Sequence, residues 1–361
     1  MSGIWGNRIK ISIFGESHGE AIGAVIDGLP PGIKLDMEAI RFQMKRRAPG
    51  QSDITTSRKE EDEFKFLSGY FNGYTTGTPL AFIIQNNDVR SSGYEYLKDI
   101  PRPGHADYTG RIKYKGFNDY RGGGHFSGRL TAPLVLAGAV CRQILESKGI
   151  HIASHIKNIG SIDDDSFDAI HIDEQLIKRL NAMKLPLIAE EKIKDMEAEI
   201  LSAKADDDSI GGSIECAIVG LPAGIGEPFF DSVESRLSHI LFSIPGVKGV
   251  EFGSGFNLTR MRGSEANDEF CIQNRAVKTK TNHSGGIQGG ITNGMPVIFR
   301  VAIKPTSSIG KKQRSMDLTR MEEVELNING RHDPCIVPRA VPVVEAAAAI
   351  AILDLSYIAH C

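Results

Sequence analysis

The sequence predicts a mixed α/β protein of the α+β type, made of two internally related halves. Two observations carry this. Short apolar runs with strand character alternate with longer runs of helical periodicity. A stretch near residue 24 also returns near residue 217: Ala24-Val25-Ile26-Asp27-Gly28-Leu29-Pro30-Pro31-Gly32 resembles Ala217-Ile218-Val219-Gly220-Leu221-Pro222-Ala223-Gly224. Each copy is followed by a helical segment and a Pro-Gly turn, Pro49-Gly50 and Pro245-Gly246. The expectation is one domain over residues 1–361, with halves near 1–150 and 210–361 and a charged, peripheral insertion near 151–209. Gly-Pro turn chemistry favours the same residues in unrelated turns, so chance similarity is the alternative.

In chain order, strands are expected at residues 9–14, 21–27, 80–85, 213–219 and 296–303, where apolar residues alternate or run continuously. Helical spacing covers residues 37–47, 130–148, 232–242 and 343–355. In the second of these, Leu134, Ala137, Val140, Cys141, Ile144 and Leu145 form one stripe. Asp36 and Asp231 stand at N-cap positions. Residues 51–63, 159–168 and 311–325 are polar and read as mobile loops. The apolar run at residues 346–353 is shorter than the ~20 residues that cross a bilayer and reads as a buried helix.

A net charge of −3 points to neither nucleic acid nor membrane as partner. Five scattered cysteines without a Cys-x-x-Cys pair argue against a disulfide framework or zinc site and fit a reducing cytoplasm. The first residues lack the apolar stretch of a signal peptide.

Five stretches carry chemistry. Gly15-Glu16-Ser17-His18-Gly19 joins two strands and offers a hydroxyl and an imidazole on a tight turn. Arg102-Pro103-Gly104-His105-Ala106-Asp107 holds a cation and a histidine on a stiff loop, which suits binding an anion and moving a proton. Arg121-Gly122-Gly123-Gly124-His125-Phe126-Ser127-Gly128-Arg129 precedes an apolar helix, where free N–H groups favour an anion. Asn282 to Gly290 is Gly-rich and is followed, after a strand, by Lys304-Pro305-Thr306-Ser307-Ser308, a candidate phosphate cradle. Arg331-His332-Asp333-Pro334-Cys335 sets a carboxylate beside Arg and His, with Pro338 and Pro342 keeping the chain irregular up to the last helix. Singly, each stretch also reads as an ordinary turn or a solvated charge cluster. The run Arg41, Lys45, Arg46, Arg47 reads by default as a solvated helix end. Neither a complete G-x-G-x-x-G fingerprint nor a G-x-x-x-x-G-K-[ST] loop is found. Together the set suits a polyanionic substrate and a phosphate-bearing cofactor.

In this order, over roughly residues 3–355, these stretches resemble the chorismate synthase family. Its signature regions are similar to residues 15–30, 122–139 and 331–346, with family-like segments at 46–50, 102–108, 247–251 and 304–308. The resemblance implies a β-α-β sandwich of two related halves, assembled as a homotetramer in the cytoplasm. It implies a lyase that converts 5-enolpyruvylshikimate 3-phosphate to chorismate by 1,4-elimination of phosphate, using reduced FMN without net redox change, with NADPH or an external flavin reductase as source of electrons.

By position, the resemblance gives His18 the role of protonating the departing phosphate and His105 that of stabilising the reduced flavin. Asp333, with Ser17, would take a proton at the flavin. Arg47, Arg102, Arg129 and Arg331 would pair the substrate's anions. Ser127, Gly289, Lys304, Pro305, Thr306, Ser307, Ser308 and Arg331 match FMN-holding positions, with Pro245 and Gly246 and the His125-Phe126 pair beside them. The chain departs from the family pattern at Asp53, where an Arg is common, at His125-Phe126, which replaces a basic-plus-small pair, and at Ala48, which interrupts an Arg run. Two rival readings are a non-catalytic phosphometabolite-binding protein and an NADPH-dependent flavin reductase.

Overall fold

Two antiparallel sheets of five strands face one another across a layer of helices in the computed structural model of the chain. The structure describes residues 3–50, 60, 62–87, 95–328 and 332–358. The helices are α1 (Met37–Arg47), α2 (Asp107–Lys113), α3 (Thr131–Glu146), α4 (Glu174–Ala182), α5 (Ile193–Ala205), α6 (Val233–Leu241), α7 (Gly263–Ala266) and α8 (Val337–Ile358). The first sheet runs Ile4–Trp5, Lys10–Gly15, Ala21–Asp27, Leu80–Gln85, Phe64–Ser68. The second runs Ile162–Asp163, His151–Ile159, Gly212–Val219, Val297–Ile303, Val247–Phe252.

Apart from the two-residue edge strands, both sheets have the order first, second, fourth, third along the chain. In each half a helix, α1 or α6, follows the second strand, and a long helix, α3 or α8, follows the fourth. Ala24 lies opposite Ile13 and Phe82, and Ala217 opposite Ala153 and Ile298. The repeated sequence stretch therefore falls on equivalent interior strands.

The long helices are apolar on nearly every face because each has a sheet on one side and the other helix opposite. The sequence showed one stripe on α3, yet its buried residues extend around the helix, from Thr131 through Leu145 with only Gln143 left partly exposed. Their close approach needs a missing side chain: a Cβ at Gly138 would collide with Ala346 of α8. Buried charges lock the layer. Glu345 of α8 accepts from Arg46 of α1 at 2.5 Å and from Arg142 of α3 at 3.0 Å. Asp354 accepts from the backbone N–H of Asn7, Arg8 and Ile9 and from Arg236 at 2.7 Å, tying the N-terminal strands to α8 and α6.

Several expectations change. Helix α8 begins at Val337, so Pro338 and Pro342 lie inside it. Pro338 sits in the first turn, where its absent N–H has no intrahelical partner to lose. At 22 residues α8 is long and apolar enough to cross a bilayer, but it lies buried between the sheets. The α6 cap is Ser232, whose hydroxyl accepts from Ser235 N–H, one residue beyond Asp231. The stretch 151–209 is not wholly peripheral, since residues 151–159 pair on both sides within the second sheet. Only the part carrying α4 and α5 lies outside it; its α4 portion packs on the sheet's outer face through Phe167, Ile172, Ile177 and Leu180, while Met196 and Ile200 of α5 join the main core. Residues 162–163 form an edge strand. The polar stretch 311–325 is a hairpin, Gln313–Asp317 with Glu322–Leu326, pinned by Ser315 Oγ to Pro101 O and by Leu318 N–H to Asp99 O. Residues 51–59 and 61 of the other candidate loop, and with them Asp53, lie outside the described residues.

Candidate active site

A cavity of about 910 Å³ opens where the two halves meet. Its walls come from the turn after the first interior strand (His18), the end of α1 (Arg47), and the loop before α2 (Arg102, His105). The approach to α3 (Gly122, His125, Phe126, Ser127, Arg129), the turn after α6 (Pro245, Gly246), residues 304–308 and the start of α8 complete it. Segments separated by up to about three hundred positions in sequence thus share one space. Of the residues singled out by sequence, His18, His105, Asp333, Arg47, Arg102, Arg129, His125, Phe126, Ser127, Pro245, Gly246, Lys304, Pro305, Thr306, Ser307 and Ser308 all line it. Gly289 does not; it sits at a hairpin turn near the N-terminus of α6. Arg331 lies outside the described residues.

The glycine run before α3 serves the two imidazoles. A Cβ on Gly122 would overlap the His18 ring, and one on Gly123 would lie 3.4 Å from His105 Nε2. Gly122 has φ 63° and Gly123 φ 128°, conformations that side chains disfavour. Gly124 accepts the Ser17 N–H at 3.1 Å and so fixes the turn that carries His18. The sequence reading treated these glycines as anion donors. In the structure they make room for the histidines.

Each histidine is oriented by its Nδ1. His18 Nδ1 is 3.2 Å from Ser17 Oγ, which is itself 3.3 Å from Arg121 O. With the hydroxyl proton directed to that carbonyl, His18 Nδ1–H donates to Ser17 Oγ. Ser17 is therefore behind His18, and no described hydrogen bond joins it to Asp333. His105 Nδ1 lies 2.6 Å from Asp107 Oδ1. His125 Nδ1 donates to Gly15 O at 2.9 Å. Ser127 Oγ accepts from Arg129 N–H at 3.2 Å, capping the short turn before α3.

The arginines come with carboxylates. Arg102 forms a two-pronged pair with Asp107, Nε to Oδ2 and Nη2 to Oδ1, both 2.8 Å, and its Nη1 donates to Ser308 Oγ at 3.1 Å. Burial pushes the Asp107 carboxyl up, but hydrogen bonds from Arg102 and His105 hold it well below the usual carboxylate range. Arg102 thus braces His105 and the 304–308 loop, a positioning role that differs from the free substrate fork expected of it. Asp62 bridges Arg47 (2.5 Å) and Arg129, and Glu60 lies 2.7 Å from Arg129. Burial raises the Asp62 pKa, but the charges of Arg47 and Arg129 lower it more. Arg47 is buried, not a solvated helix end, and its Nε has no hydrogen-bond partner among the described residues. Asp333 pairs with Arg339 at 2.5 Å, and Arg339 donates to Arg47 O. Lys304 Nζ donates to Gly104 O at 2.5 Å; burial, then the nearby Lys248 charge, lowers its pKa.

Sequence reasoning missed Arg339, Asp62, Glu60 and Lys248 and took no account of the Arg102–Asp107 pair. Arg339 stood four residues beyond a motif already singled out, and Asp107 inside one. Asp62 and Glu60 carried no local signal, because their partners are 15 and about 67 positions away.

Comparison with known proteins identifies a family. The family model described as chorismate synthase matches residues 9–357. The chorismate synthase of Thermococcus gammatolerans is 47% identical over 349 residues, covering 97% of this chain and 96% of the relative. That of Pyrococcus abyssi is 48% identical with the same coverage. A crystal structure of chorismate synthase superposes with a TM-score of 0.77 at 29% identity, covering 97% of this chain and 92% of that one. The chain belongs to the chorismate synthase family.

Proposed function

We propose that the cavity holds reduced FMN together with 5-enolpyruvylshikimate 3-phosphate and eliminates phosphate to give chorismate, a lyase step of aromatic amino acid biosynthesis. The observation that carries this reading is the pair of imidazoles, His18 and His105, each seated against its own glycine in one cavity ringed by Arg47, Arg102, Arg129 and Arg339. A substrate with a phosphate and two carboxylates requires several cationic forks. Arg47 Nε and the Arg339 guanidinium bring cationic donors to the cavity, while Asp62 and Asp107 keep Arg129 and Arg102 in place.

The residues fit a flavin phosphate and ring. Thr306 Oγ1, in the 304–308 loop, is a buried hydroxyl without a partner among the described residues, and Lys304 lines the cavity with it. The reduced flavin supplies the electron chemistry and is regenerated in each cycle. His18, with Nδ1–H held by Ser17, directs Nε2 to the departing phosphate oxygen and protonates it. His105, oriented by Asp107, holds a hydrogen bond to the flavin. Asp333, oriented by Arg339, would accept the proton that the substrate ring loses as the phosphate departs. NADPH, directly or through a separate flavin reductase, provides the reductant, and the working unit is a cytoplasmic homotetramer.

The test is anaerobic incubation of the protein with chemically reduced FMN and 5-enolpyruvylshikimate 3-phosphate. Chorismate and phosphate should appear together in equal amounts. Binding of the substrate without phosphate release would support the rival reading as a non-catalytic binding protein.

A further inference from the structure

We propose that His332 is a ligand-contacting residue of this site, presenting its Nε2 to the bound flavin. The inference rests on the reading of the cavity as a flavin site. His332 lines the cavity, next in sequence to Asp333. Its Nε2 is shielded from solvent and has no hydrogen-bond partner among the described residues. A shielded polar atom without a partner is costly, and a ligand that supplies the missing hydrogen bond recovers that cost.

The surroundings select the flavin over the substrate. Arg102 is close enough for its charge to act on His332, and Arg102 is bonded to Ser308 Oγ of the 304–308 loop. That loop holds another shielded orphan of the cavity lining besides Arg47 Nε, namely Thr306 Oγ1. Two unpartnered polar atoms, one a hydroxyl and one an imidazole nitrogen, therefore belong to segments linked through Arg102. Burial, and then the Arg102 charge, lower the imidazole's pKa, against the smaller opposing effect of Asp333. An imidazole disfavoured as a cation makes a poor partner for a substrate with a phosphate and two carboxylates, which arginines already face. It suits the uncharged polar edge of a heteroaromatic ring.

Three full-length variants test this: His332→Phe, His332→Asn and His332→Gln. The Gln amide reaches the position of Nε2, whereas the Asn amide reaches only that of Nδ1. FMN is titrated by its fluorescence quenching in the presence of substrate, substrate is titrated separately, and thermal unfolding confirms an intact fold. Loss of one buried hydrogen bond should weaken FMN binding about tenfold or more in the Phe and Asn variants. The Gln variant should recover most of the loss, and substrate affinity should move much less. Wild-type-like FMN affinity in His332→Phe, or equal impairment of Asn and Gln variants, overturns the assignment. A loss confined to the substrate titration also overturns it, since the flavin would not be the partner. Wild-type protein that binds no FMN at all defeats the functional reading itself, a result distinct from any pattern among the variants.

Discussion

At the scale of single residues, the site is organised by glycines that leave space and carboxylates that hold cations. Gly122→Ala places a methyl group inside the His18 ring and forces a side chain into φ 63°. We predict a loss of single-turnover rate at saturating substrate comparable to that of His18→Ala, in the ~10²–10⁴-fold range of lost general-acid assistance. The double variant should be little worse than either single one, because both remove the same imidazole from its place. Additive losses would show that Gly122 acts independently of His18. His18, His105 and Asp333 were legible in the sequence as chemical types on stiff or turning segments. Their orientation was not, because Ser17–Arg121 and His105–Gly123 are contacts across the chain that no local spacing encodes. Arg102 marks the same limit: its carboxylate partner lies five residues away on the same loop, a spacing that belongs to no regular element.

At the scale of elements, periodicity located the helices that fill the middle layer and the interior strands except His151–Ile159, which the sequence assigned to a peripheral insertion. It failed at Phe64–Ser68 and Val247–Phe252, which are edge strands with half-exposed, Lys- or Gly-interrupted faces and so lack clean alternation. It also stopped short at α8, where Pro338 sits in the first turn, which tolerates proline, and Pro342 lies inside the helix, where the sequence pattern reads as a break. The crossing of α3 and α8 depends on Gly138. Gly138→Val should destabilise the fold by about 1–3 kcal/mol through overpacking against Ala346, measured by chemical denaturation. A neutral effect would mean that the helices separate freely.

A second element-scale test concerns the α4–α5 segment. His155, fully buried, lies 2.8 Å from Asp164 and 3.0 Å from Glu215. Asp164 also accepts the N–H groups of Ile188 and Ala189, and Glu215 that of Phe167, so the cluster clips this segment to the second sheet. Burial lowers the His155 pKa, but the hydrogen bonds that its ring donates to Asp164 and Glu215 raise it by more, for a net increase. A raised histidine contributes stability that is full below its ordinary pKa and is lost as pH rises through the folded value. Thermal midpoints should therefore fall on the alkaline side of neutrality. His155→Gln should flatten that slope and cost about 3–5 kcal/mol at pH 6, the penalty for leaving buried charges unpaired. A slope unchanged in the variant would place the titrating group elsewhere.

At the scale of the whole molecule, we propose that the chain is a single duplicated domain. The shared strand order and the equivalent placing of α1 with α6 and α3 with α8 support that reading. One hydrophobic core takes residues from both sheets and from all four of these helices. The cavity opens at the junction, so both halves contribute to it: the first supplies His18, His105 and Arg129, the second Lys304 and Asp333. The central claim is that this junction uses a reduced flavin catalytically, without consuming it. The most direct measurement follows the flavin absorbance spectrum under strict anaerobiosis while many equivalents of 5-enolpyruvylshikimate 3-phosphate are converted. The account predicts that substoichiometric reduced FMN sustains complete conversion and that the flavin is still reduced when the substrate is exhausted. Oxidation of one flavin for each chorismate formed would contradict it.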